Sequence, residues 1–119
     1  MRKILPLLLA LLMLACNRTE HKSVSDPAYS MLERVAELNA GGDKQGALAL
    51  ADSALLMHPA DTTRCWLLSE KAVTLVDMGR MADAVGVAQG AYRLAEKLHD
   101  VDAMLNLRGT MGIAYRRLG

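Results

Sequence analysis

Residues 42–54 are GDKQGALALADSA, and residues 79–91 are GRMADAVGVAQGA. Each stretch begins with Gly and has Ala five, nine and twelve positions later. Alanines spaced by four and then three residues lie on one face of an α-helix. The two stretches are 37 residues apart, and a Leu precedes each Gly by four residues (Leu38 and Leu75). The chain therefore contains an internal repeat, in which one helix ends near the Gly and a second helix follows with a face of small residues.

A third copy of the pattern begins further along the chain. Gly119 follows Gly79 by 40 residues, with Tyr115 four positions and Gly112 seven positions before it. The three copies resemble the tetratricopeptide repeat (TPR), in which a small residue, a large residue and a turn Gly end the first helix and alanines line the second. The matching residues are Val35, Leu38, Gly42, Ala47, Ala51, Ala54 and Pro59, then Ala72, Leu75, Gly79, Ala84, Ala88 and Ala91, then Met111, Gly112, Tyr115 and Gly119.

The resemblance covers residues 27–119 and implies an all-α fold. The expected architecture is a right-handed solenoid of helical hairpins with about five helices, or two and a half repeats. Its units are about 27–60, 61–98 and an incomplete 101–119. The composition agrees, because 18 Ala and 21 Leu with no Phe and only two Ile favour helix over a β-sandwich or barrel.

Capping signals place the ends of the predicted helices. Asp26 before Pro27 is a helix start, Gly41–Gly42 can end that helix, and Asp43 and Asp100 are candidate N-caps. The predicted helices run from Pro27 to about Asn39, from Asp43 to His58, from Asp61 to near Gly79, from about Met81 to Leu98 and from about Val101 to Leu118.

Residues 1–15 have the features of an export signal. Met1-Arg2-Lys3 is positively charged, and residues 4–15 are apolar apart from Pro6. As a helix, twelve residues would span about 18 Å, which is short of a hydrocarbon core of about 30 Å. The segment therefore predicts a signal peptide and not a transmembrane helix.

The end of this segment, Met13-Leu14-Ala15-Cys16, resembles the lipobox of bacterial lipoproteins. The resemblance implies that Cys16 is lipidated and becomes the mature N-terminus; the alternative is an unmodified thiol. Residues 16–26 are polar and are expected to be a tether. The expected location is the bacterial cell envelope, with the protein lipid-anchored to a membrane and exported to the periplasm or cell surface.

Charge and motifs exclude several classes of function. The formal charge is +1, and without Arg2 and Lys3 the chain has 12 basic against 13 acidic residues, so nucleic-acid binding is not expected. The sequence has no Gly-rich phosphate loop, no Gly-x-Ser-x-Gly and no His-Glu-x-x-His. Its three histidines lack ligand spacing, and Cys65 is expected to be a buried, inert thiol. We therefore expect no catalysis, no metal, no cofactor and no small-molecule substrate.

In TPR proteins the first helix of each unit lines a concave groove that binds a peptide or a partner helix. Carried over to this chain, that face predicts protein-binding residues at Tyr29, Asn39, Trp66, Ser69, Asp77, Asn106, Arg116 and Arg117. Trp66, the only Trp, is as typical of an interface anchor as of a core residue. The function expected is a membrane-anchored, exported scaffold for another protein. The alternative is the extracytoplasmic sensor region of a larger bacterial signalling protein with a histidine kinase or DNA-binding output.

Three further expectations concern packing. Gly86 and Gly90 are interpreted as sites of close intramolecular helix contact, with a Gly-x-x-x-Gly dimer seam as the alternative. The segment from Gly109 to Gly112 is likewise interpreted as a close helix contact. In the fifth helix, an apolar stripe is expected to lack a following helix that covers it fully: Ala103, Leu107, Met111, Ala114 and Leu118. This predicts a chain truncated from a longer protein, unless the fifth helix is a terminal cap.

Overall fold

The computed structural model describes residues 26–119, and these residues form five α-helices with no strand among them. In chain order the helices are α1 (Pro27–Ala40), α2 (Lys44–Leu55), α3 (Asp61–Asp77), α4 (Met81–Leu98) and α5 (Val101–Leu118). The prediction of an all-α fold with five helices is confirmed. The predicted signal peptide, Cys16 and the predicted tether before Asp26 lie outside the described residues.

Aspartates start three of the helices, as the sequence predicts. The Asp26 carboxylate accepts from the Ala28 N–H at 3.1 Å. The carboxylates of Asp43 and Asp100 accept from the N–H groups of Gly46 and Ala103 at 2.9 and 3.0 Å. Each bond satisfies an amide that has no partner within its helix.

One predicted boundary agrees with the structure, and another differs from it. Asp61 is the first residue of α3, and Ala60, in the capping position before it, makes no side-chain cap. α2 ends at Leu55, three residues before His58. His58 adopts a left-handed conformation and precedes the buried Pro59. Both residues therefore lie in the connection between α2 and α3, and α2 does not continue through them.

The C-terminal ends of α1, α3 and α4 share one hydrogen-bonding pattern. In each, an N–H just beyond the helix donates to a carbonyl in its last turn, and the residue before that N–H is left-handed. The three bonds are Asp43 N–H to Leu38 O (2.9 Å), Arg80 N–H to Leu75 O (2.8 Å) and Asp100 N–H to Ala95 O (3.0 Å). Gly42 and Gly79 are the left-handed residues at the first two ends, and His99 takes this role after α4.

The helices lie in two layers. α1, α3 and α5 contact one another in chain order. α2 lies against α1 and α3, and α4 lies against α3 and α5, whereas α2 and α4 do not contact each other. The odd-numbered helices therefore form one layer and the even-numbered helices form the other.

Alanine dominates the core between the layers. All six alanines of the two repeated triplets are buried: Ala47, Ala51, Ala54, Ala84, Ala88 and Ala91. The largest fully buried side chains are Leu67, Leu75 and Leu107 from α3 and α5. Small side chains on the even helices let them lie close to the odd helices, and a few leucines fill the remaining space.

The glycines within the helices do not make the close contacts expected of them. A Cβ placed on Gly86, Gly90, Gly109 or Gly112 would have no neighbouring atom within 4 Å. The interpretation of these residues as sites of close intramolecular packing is therefore wrong. Gly86, Gly109 and Gly112 are exposed, and Gly90 is partly buried.

The apolar stripe of α5 is also better covered than expected. Ala103, Leu107 and Ala114 are fully buried, and Met111 packs against the core cluster that contains Ala103 and Leu107. Of the five stripe residues only Leu118 is exposed, at 55%. The preceding helices α3 and α4 contact α5 and cover this stripe, so it does not by itself indicate truncation.

Candidate binding surface

Equivalent positions of α1, α3 and α5 form a three-by-three surface. On α3, Trp66, Val73 and Asp77 lie on one helix face, since they are spaced by seven and then four residues. The repeat shifts of 37 and 40 residues give the equivalent positions on the adjacent helices: Tyr29, Ala36 and Ala40 on α1, and Asn106, Ile113 and Arg117 on α5. We call these nine residues the odd-helix face.

The three rows of the odd-helix face differ in chemistry. The first row, at the N-terminal ends of the helices, has Tyr29 (37% exposed), the half-buried Trp66 and the exposed Asn106. The middle row is apolar, with Ala36, Val73 and Ile113 partly exposed. The last row has Ala40 and two exposed charges of opposite sign, Asp77 and Arg117. The face therefore offers aromatic and apolar contacts with charged groups at one edge.

Trp66 belongs to both the core and the surface. It packs against the buried cluster that contains Cys65, Ala72 and Ala88, yet part of its ring stays accessible. Both roles considered for this residue thus have a structural basis. A tryptophan that packs partly against the core and stays partly accessible is a typical interface anchor.

Asn39 is engaged within the chain. Its side-chain amide donates to the Glu70 carboxylate at 2.8 Å, and its side-chain oxygen lies 2.8 Å from the Thr74 hydroxyl. These bonds join the end of α1 to the middle of α3, which gives Asn39 a positioning role between two layer-forming helices. Glu70 was not among the predicted residues, although it lies one turn after Trp66 on the same side of α3.

Asp77 is also paired. Lys44 Nζ lies 2.9 Å from the Asp77 carboxylate and donates to the Asn39 carbonyl at the same distance. Both charged side chains are partly exposed, so the ion pair itself contributes little to stability. It holds the Asp77 carboxylate close to the end of α1 at the charged edge of the odd-helix face.

Ser69 and Arg116 fall outside the odd-helix face. Ser69 is only 1% exposed, and its hydroxyl donates to the Cys65 carbonyl at 2.9 Å, so it is not accessible to a partner. Arg116 is exposed, but its equivalent on α3 is the buried Val76. The three predicted binding residues of α5 thus lie on two sides of that helix. Asn106 and Arg117 are on one side, and Arg116 is on the other.

Reactive chemistry is limited in the described part of the chain. No group of three His, Cys, Asp or Glu residues among residues 26–119 could hold a metal ion. The Cys65 sulfur is fully buried, 3.6 Å from the Ala91 carbonyl oxygen. Burial raises the pKa of the Cys65 thiol, and the negative charge of Asp100 raises it further. Both effects favour the unreactive thiol over the thiolate.

An open cleft lies on the other layer, where α2 and α4 separate over α3. Its volume is about 410 Å³, and the Lys71–Asp52 ion pair (2.7 Å) borders it together with Leu48, Leu75 and Arg80. Its lining comes from three helices, and for this reason no local sequence signal pointed to it. The mixed, charged lining and wide opening are unlike an enclosed small-molecule pocket.

No family model, curated protein or solved structure matches the chain. Within residues 26–119, none of the helices has the length and hydrophobicity needed to cross a membrane.

Proposed function

We propose that the chain is an exported, lipid-anchored TPR scaffold that binds another protein or peptide on the odd-helix face. The supporting observation is the face itself, where equivalent positions on three adjacent helices supply aromatic, apolar and charged rows. A partner helix or extended peptide crossing α1, α3 and α5 would run along these rows and meet the equivalent positions of the three helices in succession.

The packing pattern supports a TPR-like solenoid, and its proposed right-handedness rests on the TPR resemblance. Each odd helix contacts the next odd helix and the even helix between them, and contacts do not extend beyond these neighbours. Nearest-neighbour packing of this kind is the defining property of repeat proteins. The 37- and 40-residue shifts, the buried Ala triplets and the shared helix-end geometry follow the same repeat.

A binding role is also favoured over catalysis. The one thiol in the described residues is buried and its pKa is raised. The odd-helix face offers shape and surface chemistry for recognition.

Site-specific photocrosslinking tests the binding face. We would replace Ala40, in the last row of the odd-helix face, with a photoreactive amino acid in the membrane-bound full chain. The matched control is Ala49, an equally exposed alanine on α2. We expect a discrete adduct with one partner protein from position 40 and none from position 49. Equal adducts from both positions, or none from position 40, would contradict the proposal.

Aromatic truncation provides a second test with the crosslinked partner. Tyr29→Ala should weaken binding at least tenfold with a small effect on melting temperature, because its ring is substantially exposed. Trp66→Ala should weaken binding and also lower the melting temperature, because part of its ring is packed in the core. Unchanged affinity in both variants would remove the first row from the site.

The lipid anchor can be tested separately. The N-terminal peptide of the mature protein is expected to begin at Cys16 and to carry acyl chains, which bind a membrane through about 0.8 kcal/mol per buried CH₂. Cys16→Ser should release the protein or stop its processing. Membrane retention of that variant, with no lipid mass on the wild-type peptide, would rule out the anchor while leaving the binding face untouched.

A further inference from the structure

The two long odd helices, α3 and α5, differ in how one of their faces is covered. On α3, Cys65, Ser69, Ala72 and Val76 are buried, and Cys65 and Ala72 pack in one cluster with Ala88 and Ala91 of α4. Forty residues later, the equivalent positions on α5 are all exposed: Leu105, Gly109, Gly112 and Arg116. Within residues 26–119, α5 therefore presents uncovered the face that α4 covers on α3.

We call this surface, together with Val101 and Asp102, the outer α5 face. Leu105 is 61% exposed and Val101 is 60% exposed, which is high for large apolar side chains on adjacent turns. The two glycines leave open space beside them, since a Cβ on either would meet no atom within 4 Å. A ridge of large residues next to a glycine gap suits close packing against another helix.

The outer α5 face carries charges of opposite sign at its two ends. Asp102 lies in the first turn of α5 and Arg116 lies in its last turn. Neither residue forms an ion pair within the described part of the chain. Arg108, which borders the face, is already engaged, with its Nη2 atom 2.7 Å from the Tyr92 hydroxyl oxygen. The free charges thus sit at opposite ends of one helix and have opposite signs.

We propose that a second copy of the chain covers the outer α5 face, with the two α5 helices antiparallel and crossing at Gly109. In this arrangement Asp102 lies opposite Arg116 of the second copy, because each is seven residues, or about 10.5 Å, from the crossing point. Leu105, about 6 Å from the crossing, lies against the gap at Gly112 of the second copy, about 4.5 Å from it. A parallel pair would place like charges together.

This dimer is separate from the proposed partner-binding function. It uses Arg116 and Leu105, whereas the odd-helix face uses Arg117 and Ile113. An 18-residue helix is about 27 Å long, so the contact is smaller than the interfaces of stable dimers. The expected dimer is therefore reversible, and it is favoured by the high local concentration on a membrane.

Disulfide crosslinking of the full chain in membranes tests the geometry directly. Gly109→Cys would place two thiols at the crossing, where close helix approach allows a disulfide. Under mild oxidation we expect a covalent dimer, at least tenfold more abundant than for Gly86→Cys. Gly86 is the matched control, because it is also an exposed glycine inside a helix with open space beside it.

A second cysteine position reports the orientation. Two thiols introduced by Leu105→Cys would be about 12 Å apart along an antiparallel pair and should not crosslink, whereas a parallel pair would bring them together. The charge prediction has its own test. Asp102→Arg or Arg116→Asp, each combined with Gly109→Cys, should lower the dimer fraction at least threefold, and the double reversal should restore it.

Several results would overturn the proposal. Equal crosslinking at positions 109 and 86, or a dimer through Leu105→Cys, contradicts the antiparallel arrangement. An adduct of Gly109→Cys with a different protein instead of a dimer shows that another partner covers the face. Failure of the double reversal to restore crosslinking, in a variant with unchanged protease resistance, contradicts the charge pairing.

Discussion

His99 has the left-handed conformation at the end of α4, where Gly42 and Gly79 have it at the ends of α1 and α3. The conformation is required, because it lets the Asp100 N–H reach the Ala95 carbonyl at 3.0 Å. The left-handed conformation costs a residue with a Cβ about 1–2 kcal/mol, whereas glycine adopts it without this cost.

His99→Gly should therefore stabilise the protein by about 0.5–1 kcal/mol, after the greater backbone entropy of glycine in the unfolded chain is subtracted. The control is Glu96→Gly, an exposed change in the last turn of α4, which should destabilise by about 1 kcal/mol. Denaturant unfolding followed by circular dichroism measures both. A loss of stability for His99→Gly would show that its side chain contributes more than its backbone strain costs.

Cys65 yields a prediction about pH and reactivity. Its thiol pKa is raised in the folded state, by burial first and by Asp100 second, so the unfolded chain loses this proton at a lower pH than the folded chain. Well below about pH 8.5, the Cys65 thiol adds nothing to the pH dependence of folding stability. Above that value, it makes the folding stability fall as pH rises. We expect alkylation at pH 8 to be slow until the protein unfolds.

Cys65→Ala is the control for both measurements, since it leaves Cys16 as the only cysteine of the chain. The difference between its stability at pH 7 and pH 10 should be smaller than that of the wild type. Rapid labelling of Cys65 in the folded protein at pH 8 would contradict the buried, inert assignment.

At the scale of the helix, the surface glycines of α4 reduce stability without a compensating contact. Gly86→Ala and Gly90→Ala should each stabilise the protein by up to about 1 kcal/mol, because alanine is the better helix former and the added methyl meets no atom within 4 Å. Thermal unfolding of the two single variants checks this. A destabilised variant would indicate that the position contacts something outside the described chain.

Gly46 on α2 is the matched control. It is also a glycine within a helix, but a methyl there would collide with the Asp43 carboxylate that caps α2. Gly46→Ala should therefore gain helix propensity and lose the cap, which is worth about 0.5–2 kcal/mol. A stabilisation as large as that of Gly86→Ala would mean that the cap is unimportant.

At the scale of the whole molecule, the contact between α1 and α3 depends on a small polar network. Asn39→Ala removes the bond to Glu70 and the contact with Thr74, and should cost about 1–3 kcal/mol because partly buried polar groups lose their partner. Asn106→Ala, an exposed change on α5, should cost less than about 0.5 kcal/mol. If the two variants are equally stable, the network has no structural role.

The sequence by itself determined the five helices and most of their ends. Capping by Asp26, Asp43 and Asp100, the helix stop at Gly42 and the spacing of the Ala triplets all act over a few neighbouring residues. Local rules therefore suffice for them. The repeat also identified most positions of the odd-helix face, because equivalent residues in adjacent units face the same way.

The tertiary structure alone decided the features that join distant parts of the chain. Asn39 bonds to residues 31 and 35 positions away, and Ser69 is buried although its position in the repeat suggested a binding face. The glycines of α4 and α5 face open space, and α3 and α4 together cover the stripe of α5 that was expected to be covered only in part. The physical reason is that burial depends on which helices pack together in three dimensions, and helical periodicity reports only which residues share a face.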